Sequence, residues 1–289
     1  MSATKHLVVG MNGTIGSALY SRLQATGAAV WGSTQRRGAE IDGNTIYLNL
    51  REPSSWSFAH KFDVVYFCAG LCRMSLCEED PVGTHHINVD ATLALAEYFA
   101  KQDGLFVFLS TNQVFSGNQA FVLPDAEYQP QNEYGRQKAK IETLLKEHCP
   151  KLAIVRLTKV VEPNMALIQN WIQRLQQDQP IDAYTDMMLA PVSLRQVINV
   201  LIKIGEKNLT GIYQVSGNQD ISYYDLATFL AQRLSRSDSL VRAVSGLESG
   251  MRKTFLPKFT TLDTSSIIAA VSEHSPHYAE VVQECFELA

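Results

Sequence analysis

The chain has 289 residues, of which 46% are hydrophobic and 19% charged, as in an ordinary globular protein. The length suits one large α/β unit, or a larger domain that carries a smaller second lobe. The net charge of −4 argues against a nucleic-acid surface, and we find no apolar run of the roughly 18 residues that a membrane helix needs. The N-terminal residues lack the charged-then-apolar layout of a signal peptide, so we expect a cytoplasmic location.

The first half of the chain alternates predicted strands with predicted helices. Strands are predicted at 5–10, 28–32, 44–48, 63–68, 104–109 and 152–156, and helices at 14–26, 84–102 and 133–148. Most of these strands are short apolar runs, which is typical of strands covered on both faces. The alternation predicts an α/β fold of the Rossmann type, with a doubly wound parallel sheet and right-handed crossovers.

The second half has a different pattern. Helices are predicted at 165–177, 192–206, 223–235 and 276–287, the last beginning just after Ser275, with short extended pieces near 180–184 and 211–215. We expect a Rossmann domain at 1–160 and a smaller C-terminal lobe at 161–289, some of whose segments return to the sheet. Ligands of doubly wound sheets bind at the carboxyl ends of the strands, and the second lobe is expected to bind the substrate.

Five cysteines occur in the sequence, namely Cys68, Cys72, Cys77, Cys149 and Cys285. An odd number without a secretion signal argues against a disulfide framework. The first three lie close together, but they lack the paired C-x-x-C that structural zinc sites usually show. We therefore predict reduced thiols and no metal site.

A glycine-rich turn follows the first predicted strand, in the sequence Leu-Val-Val-Gly10-Met-Asn-Gly13-Thr-Ile-Gly16. In this strand–turn–helix context, Gly10 allows the tight turn, Gly13 lets the backbone approach a pyrophosphate, and Gly16 lets the helix pack closely on the sheet. The helix N-terminus supplies N–H groups and positive dipole to phosphates. The loop residues predicted to bind a dinucleotide are Gly10, Asn12, Gly13, Thr14, Ile15 and Gly16. The alternative is a βα turn whose glycines bind nothing.

The end of the second strand indicates which dinucleotide is bound. An NAD site places an acidic residue here for the ribose 2′-hydroxyl, but the sequence reads Ser33-Thr34-Gln35-Arg36-Arg37, with no acid before Glu40. Guanidinium groups pair with phosphate oxygens through two hydrogen bonds. Ser33, Thr34, Arg36 and Arg37 therefore favour the 2′-phosphate of NADP(H), with NAD(H) and a solvated basic loop as the alternatives.

A tyrosine–lysine pair is the candidate for catalysis. Among the eleven tyrosines, only Tyr134 has a lysine four residues later, Lys138, and helical spacing puts both on one face. A nearby ammonium stabilises a phenolate, so that Tyr134 could exchange a proton with a substrate while hydride moves at a nicotinamide. Thr111, where the strand at 104–109 runs out, is the expected third group, and Ser110 is its competitor. A solvent-facing helix pair is the alternative.

These motifs resemble a known family. The segments that carry the resemblance are Gly10–Gly16, Ser110-Thr-Asn-Gln-Val-Phe-Ser-Gly117, Tyr134-Gly-Arg-Gln-Lys138, Val155-Arg156-Leu-Thr158, Gly211-Ile-Tyr-Gln-Val-Ser-Gly217 with Tyr223-Tyr-Asp-Leu-Ala227, and Thr261-Leu-Asp263. The chain looks like an extended short-chain dehydrogenase/reductase and is most similar to the dTDP-4-dehydrorhamnose reductases. The first three motifs are typical of the superfamily, and the later ones indicate the subgroup.

The resemblance implies hydride transfer to the C4 keto group of a nucleotide-activated 4-keto-6-deoxy sugar. It implies that Thr111, Tyr134 and Lys138 form the catalytic set and that Tyr134 and Lys138 also meet the cofactor. By the same analogy, Ala69, Gly70 and Leu71 line the dinucleotide, Asn88 supports the site and Leu50 touches the adenine. A homodimer through the helices at 84–102 and 133–148 is a further expectation from the family.

Four positions depart from the family pattern. Its Asp and Tyr after Ser-Thr are Asn112 and Gln113 here, its Trp at the sugar pocket is Lys159, and its Tyr-Thr-x-Val-Asp loop is replaced by a segment that contains Arg73. We expect all four to contact the substrate, and the two cations suit a charged substrate or its diphosphate.

Two other functions remain open. An epimerase or dehydratase of the same superfamily would recycle its cofactor and would need a further acid–base pair beside Tyr134, where the sequence has Asn112 and Gln113. The regulatory β subunit of methionine adenosyltransferase resembles the same family, binds NADP and also has Asn after the hydroxyl residues. A non-catalytic regulatory subunit is therefore the second alternative.

Overall fold

The computed structural model describes the backbone of residues 3–36 and 43–287, and side chains up to residue 284 within those ranges. The strands are β1 (Lys5–Val9), β2 (Ala29–Thr34), β3 (Thr45–Tyr47), β4 (Val64–Phe67), β5 (Leu105–Thr111), β6 (Leu152–Leu157), β7 (Lys159–Val161), β8 (Ile181–Tyr184), β9 (Met188–Leu189), β10 (Pro191–Ser193), β11 (Gly211–Val215), β12 (Ile221–Ser222) and β13 (Val241–Val244). The helices are α1 (Thr14–Ala25), α2 (Met74–Glu79), α3 (Pro81–His85), α4 (Thr92–Ala100), α5 (Glu133–His148), α6 (Ala166–Gln176), α7 (Leu194–Glu206), α8 (Tyr223–Arg233), α9 (Ser265–Val271) and α10 (Tyr278–Glu287).

The chain divides into two compact units. The first comprises Met1–Val114, Asn132–Arg156 and Val197–Tyr213, and the second comprises Phe115–Gln131, Leu157–Gln196 and Gln214–Ala289. Within the described residues, no helix is both long enough and apolar enough to cross a membrane.

A seven-stranded sheet, counted over the described residues, organises the first unit. Its strand order is β11-β6-β5-β4-β1-β2-β3, and β1 pairs in parallel with both β2 and β4. The chain thus winds outward from β1 in both directions, which is the doubly wound order of a Rossmann sheet. The ligand crevice of such a sheet lies beyond the carboxyl ends of the strands, where the order reverses.

The first core lies between the sheet and its helices. Phe67, Phe106 and Phe108 are almost completely buried, and the rings of Phe67 and Phe106 lie 5.7 Å apart between centroids. Phe99 of α4 and Ile141 of α5 pack against the same cluster. These apolar runs, covered on both faces, explain why the strands lack alternation in sequence.

The second unit has its own core. Side chains of α6 and α8, including Trp171 and Leu226, pack with Ile181 of β8. A capping box fixes the start of α8. The Ser222 hydroxyl oxygen accepts from the Asp225 N–H, and the Asp225 carboxylate accepts from the Ser222 N–H. Buried Gln214 donates to the carbonyl oxygens of Val122 and Asp263, at 2.8 and 2.9 Å.

The sequence predictions hold well for the larger elements. The first-half strands are confirmed, and α1 and α5 lie where helices are predicted. The continuous helix predicted at 84–102 is wrong: α3 ends at His85, a π-helical turn spans His86–Ala91, and α4 begins at Thr92. The apolar stripe persists through the π turn, so periodicity does not detect it.

The second half is confirmed in its main helices and in its two predicted extended pieces, which correspond to β8 and β11. The predicted helices correspond to α6, α7, α8 and α10, although α10 begins at Tyr278 rather than just after Ser275. Strands β7, β9, β10, β12 and β13 and helix α9 are not predicted. Strands of two to four residues contain too few positions to show alternation.

A buried ion pair joins α5 to β6 inside the first unit. Arg156 donates through Nε and Nη2 to the carboxylate of Glu142, with an Nη2–Oε2 distance of 2.7 Å. The two side chains are 1% and 0% exposed, and the hydroxyl of Ser110 also donates to Glu142. Each charge is compensated only by its neighbours, so loss of one partner leaves an uncompensated charge in the core.

We expect Glu142→Gln to lower the free energy of unfolding by about 3–5 kcal/mol, because it removes the carboxylate that compensates the buried Arg156 charge. The double variant Glu142→Leu with Arg156→Met should recover most of that loss, since it removes both charges together. Urea unfolding measures both. A single variant within about 0.5 kcal/mol of the wild type, the range of ordinary surface substitutions, would contradict the assignment.

Candidate functional site

The glycine turn after β1 is built as the sequence predicts. Gly10 has a φ of 86°, a left-handed value that favours glycine, and its N–H donates to Ser33 Oγ at 3.0 Å. Gly13 stands at the N-cap of α1 and donates to the Gly10 carbonyl oxygen at 3.1 Å. A Cβ atom at Gly16 would overlap that same carbonyl oxygen. The helix can therefore approach the strand only with glycine at this position.

A cavity of about 500 Å³ opens beside this turn in the first unit. The predicted cofactor residues that line it are Gly10, Asn12, Gly13, Ser33, Thr34, Arg36, Leu50, Ala69, Gly70 and Leu71. They follow β1, β2, β3 and β4, whose carboxyl ends meet at one edge of the sheet because the strands are parallel. Six predicted residues are not among its lining residues, namely Thr14, Ile15, Gly16, Asn88, Tyr134 and Lys138, and Arg37 lies outside the described residues.

The structure adds residues that the sequence argument missed. Asn49 and Arg51, directly after β3, line the cavity together with Gln35 and Cys68. The Arg51 N–H donates to Asn49 Oδ1 at 3.0 Å. Among the described lining residues, two arginines and no carboxylate are present, so the cavity favours an anion at this end. The missed signal was a cation just after the third strand, equivalent to Arg36 after the second.

The three predicted catalytic residues come together in the first unit. Thr111 ends β5, and its hydroxyl is near enough to the Tyr134 phenol to lower the pKa of that phenol, against the larger effect of burial. The Lys138 Nζ atom lies 6.0 Å from the centre of the Tyr134 ring and donates to the carbonyl oxygen of Leu109 at 2.8 Å. Ser110, the competing candidate, donates instead to buried Glu142. The geometry favours Thr111 over Ser110 as the residue beside Tyr134.

Burial changes the acidity of both titratable groups. Burial lowers the pKa of Lys138 to about 8, and the nearby Glu142 carboxylate opposes that change. Burial also raises the pKa of Tyr134, with further contributions from the Cys72 and Cys77 thiols. Tyr134 therefore holds its proton at neutral pH and can act as a proton donor. Lys138 is mostly protonated at pH 7, but it titrates close to physiological pH.

Asn88 holds the loop that follows β4. Its Oδ1 atom accepts from the Leu71 N–H at 2.8 Å, and its Nδ2 atom donates to the Leu71 carbonyl oxygen at 3.0 Å. The preceding Gly70 has a φ of 147°, a value that few other residues adopt. Asn88 thus supports the backbone that lines the cavity, although it is not itself one of the lining residues.

The predicted substrate residues fall in both units. Gln113 Oε1 accepts from Asn132 Nδ2 at 2.9 Å, and Asn132 is the N-cap of α5. Asn112 follows Thr111, while Arg73 is exposed at the start of α2. Lys159 belongs to the second unit, on β7.

Four of the five cysteines have described side chains. The described cysteines Cys68, Cys72, Cys77 and Cys149 are free thiols, and the Cys285 side chain lies outside the described side chains. Among the described residues, no group of three or more His, Cys, Asp or Glu side chains could hold a metal ion.

A doubly wound sheet with a glycine turn and a Thr–Tyr–Lys set defines a Rossmann-type protein of the extended short-chain dehydrogenase/reductase class. The family model of the RmlD substrate binding domain matches residues 4–289, so the chain belongs to that family.

Its relatives include proteins with different descriptions. Methionine adenosyltransferase 2 subunit beta of Xenopus tropicalis is 23% identical over 254 residues, which cover 83% of this chain and 75% of that protein. The probable low-salt glycan biosynthesis reductase Agl14 of Haloferax volcanii is 22% identical over 270 residues, 90% of each chain.

A solved structure supports the fold. The dTDP-4-dehydrorhamnose reductase of Bacillus anthracis, solved in complex with NADP, superposes with a TM-score of 0.85 at 18% identity, over 100% of this chain and 99% of that one. At this identity the similarity establishes the shared architecture alone.

Proposed function

We propose that the protein binds NADP(H) and reduces the 4-keto group of a nucleotide-activated 4-keto-6-deoxy sugar, as dTDP-4-dehydrorhamnose reductases do. The observation that carries this proposal is the meeting of Thr111, Tyr134 and Lys138 at the carboxyl end of β5. Hydroxyl, phenol and ammonium groups in one place suit protonation of a carbonyl oxygen during hydride transfer.

The cavity fits a dinucleotide on three counts. Gly10 and Gly13 place the turn and the N-terminus of α1 at its wall, where the positive end of the helix dipole stabilises a pyrophosphate. Gly70 allows a close approach of the backbone on the other side. Arg36 and Arg51 line the end that would receive a 2′-phosphate, which supports NADP(H) over NAD(H).

Each catalytic residue then has a defined task. Bound NADPH supplies the hydride. Tyr134 gives its proton to the carbonyl oxygen, and Thr111 donates a hydrogen bond to the same oxygen. The Lys138 ammonium stabilises the phenolate that Tyr134 becomes, and its position on the same helix suits a bond to the nicotinamide ribose.

Substrate contacts form the part of the proposal that rests most on the family. Arg73, Asn112 and Gln113 are proposed to contact the sugar nucleotide, and Arg73 suits its diphosphate. Lys159 and the lobe at 161–289 are also proposed to contact the substrate, on the basis of the sequence. Because these positions differ from the family pattern, a sugar other than dehydrorhamnose is an equally suitable substrate.

A second function is favoured by one observation. The match to methionine adenosyltransferase 2 subunit beta covers 83% of this chain. A regulatory subunit that binds NADP without turnover would use the same cavity.

The direct experiment adds a dTDP-4-keto-6-deoxy sugar to the protein loaded with NADPH and follows NADPH fluorescence. We expect oxidation, and we expect Tyr134→Phe to slow it by about 10²–10⁴-fold because the variant has no proton to give. NADPH affinity should fall by no more than about tenfold, since the phenol oxygen contributes at most one hydrogen bond.

The outcomes separate the candidates. Strong residual turnover in Tyr134→Phe would remove Tyr134 from the catalytic role. Tight NADPH binding by the wild type without oxidation by keto sugars would favour the regulatory subunit. An absence of NADPH and NADH binding would overturn the cofactor assignment.

The 2′-phosphate assignment predicts a difference between cofactors. Arg36→Ala and Arg51→Ala should each weaken NADPH by about tenfold, the equivalent of one charge-assisted hydrogen bond, and change NADH little. Arg22→Ala, on the last turn of α1 and away from the cavity lining, is the matched control. Equal losses for NADPH and NADH would contradict the assignment.

The lowered pKa of Lys138 predicts a pH limit. We expect kcat to fall as the pH rises through about 8, because the neutral amine no longer stabilises the phenolate. The effect of Lys138 on stability has the opposite sign. Between pH 8 and 10.5, the ordinary pKa of lysine, Lys138 binds a proton in the unfolded chain but not in the folded one, so stability rises with pH. A pH–rate profile that stays flat to pH 10, in protein that remains folded, would contradict the role given to Lys138.

A further inference from the structure

Gln137 lies on α5 between the two proposed catalytic residues of that helix, yet its side chain is only 1% exposed and is directed into the protein. Its Nε2 atom donates to Thr84 Oγ1 at 2.9 Å and lies 3.2 Å from the carbonyl oxygen of Pro81. Its Oε1 atom accepts from Asn88 Nδ2 at 2.8 Å. Both ends of this amide are therefore bonded inside the first unit.

Thr84 and Glu133 together set the orientation of the Gln137 amide, because the Glu133 Oε1 atom, which can only accept, lies 3.2 Å from Nε2. The Thr84 hydroxyl donates to the carbonyl oxygen of Asp80 at 2.7 Å, so it meets Gln137 as an acceptor. The Nε2 atom must then face Thr84, and the Oε1 atom must face Asn88. A reversed amide would place an amino group against the amino group of Asn88.

The orientation of Asn88 depends in turn on Gln137. An amide nitrogen has two hydrogens, and those of Asn88 go to the Leu71 carbonyl oxygen and to Gln137 Oε1. The Asn88 oxygen accepts from the Leu71 N–H. All polar groups of Asn88 are thus used, and loss of the acceptor on Gln137 would leave a buried amide hydrogen without its partner.

Leu71 and Gly70 line the cavity, and a Cβ atom at Gly70 would lie 3.4 Å from Asn88 Oδ1. We propose that Gln137 is a positioning residue that holds the Gly70–Leu71 backbone through Asn88 and joins it to the helix that carries Tyr134 and Lys138. The link then fixes the distance between the Gly70–Leu71 loop and α5. The consequence for cofactor affinity rests on the proposed function, whereas the link itself does not.

The test compares two buried glutamines. Gln137→Met keeps the length of the side chain and removes its hydrogen bonds. Gln214→Met removes the bonds to Val122 and Asp263 from an equally buried glutamine of the second unit, and is the matched control. Hydrogen–deuterium exchange on the ligand-free proteins should show the Leu71 amide exchanging about threefold to tenfold faster in Gln137→Met and unchanged in Gln214→Met, the loss expected for one hydrogen bond.

A third variant separates positioning from folding. Gln137→Glu keeps an acceptor for Asn88, but it loses the donor to Thr84 and places a second carboxyl group against Glu133. Leu71 should therefore stay protected even though the protein is less stable. NADPH affinity should fall by about threefold to tenfold in Gln137→Met, and the double variant with Asn88→Ala should lose no more than Asn88→Ala alone.

The results distinguish this proposal from the function on which its second half rests. Unchanged exchange at Leu71 in Gln137→Met, or loss of protection in Gln137→Glu equal to that in Gln137→Met, would overturn it. If the wild type binds no NADPH, the proposed function fails, and faster exchange at Leu71 in Gln137→Met alone still supports the link.

Discussion

The buried ammonium of Lys138 is the constraint on which the site depends. It donates to the carbonyl oxygen of Leu109 and lies 4.3 Å from the centre of the Phe108 ring, so it fixes α5 against β5. A buried charge is unfavourable unless other groups compensate it, and burial accordingly lowers the pKa of Lys138. The Glu142 carboxylate offsets part of it, and Arg156 in turn balances Glu142. With α5 fixed in this way, Tyr134 lies beside Thr111.

The parallel sheet supplies the second condition. Because the strands run in one direction, the residues that follow them gather at one edge of the sheet. The turn at Gly10, the cations Arg36 and Arg51, and the loop at Gly70 reach the cavity in this way, each from the end of a different strand. Close packing of α1 requires Gly16, since a side chain there would meet Gly10. One edge of the sheet thus holds the glycine turn that we propose binds phosphate.

The features that depend on residues close together in the sequence could be predicted from it. The glycine spacing, the apolar strands and the Tyr134–Lys138 pair depend on neighbouring residues, and each can be recognised without tertiary information. The pairing of Glu142 with Arg156 and the amide chain through Asn88 and Gln137 join distant segments, and no periodicity marks them. The π turn at His86–Ala91 keeps the apolar stripe of a helix and so could not be detected.

The relatives of this chain include one named as a probable reductase and one named as a subunit of methionine adenosyltransferase. The most direct measurement uses NADPH that carries deuterium at both C4 positions of the nicotinamide, with a dTDP-4-keto-6-deoxy sugar and mass spectrometry of the product. Our account predicts a product that carries one deuterium at C4 of the sugar, since the hydride moves directly while Tyr134 supplies the proton. Tight NADPH binding with no deuterium in the sugar would contradict it.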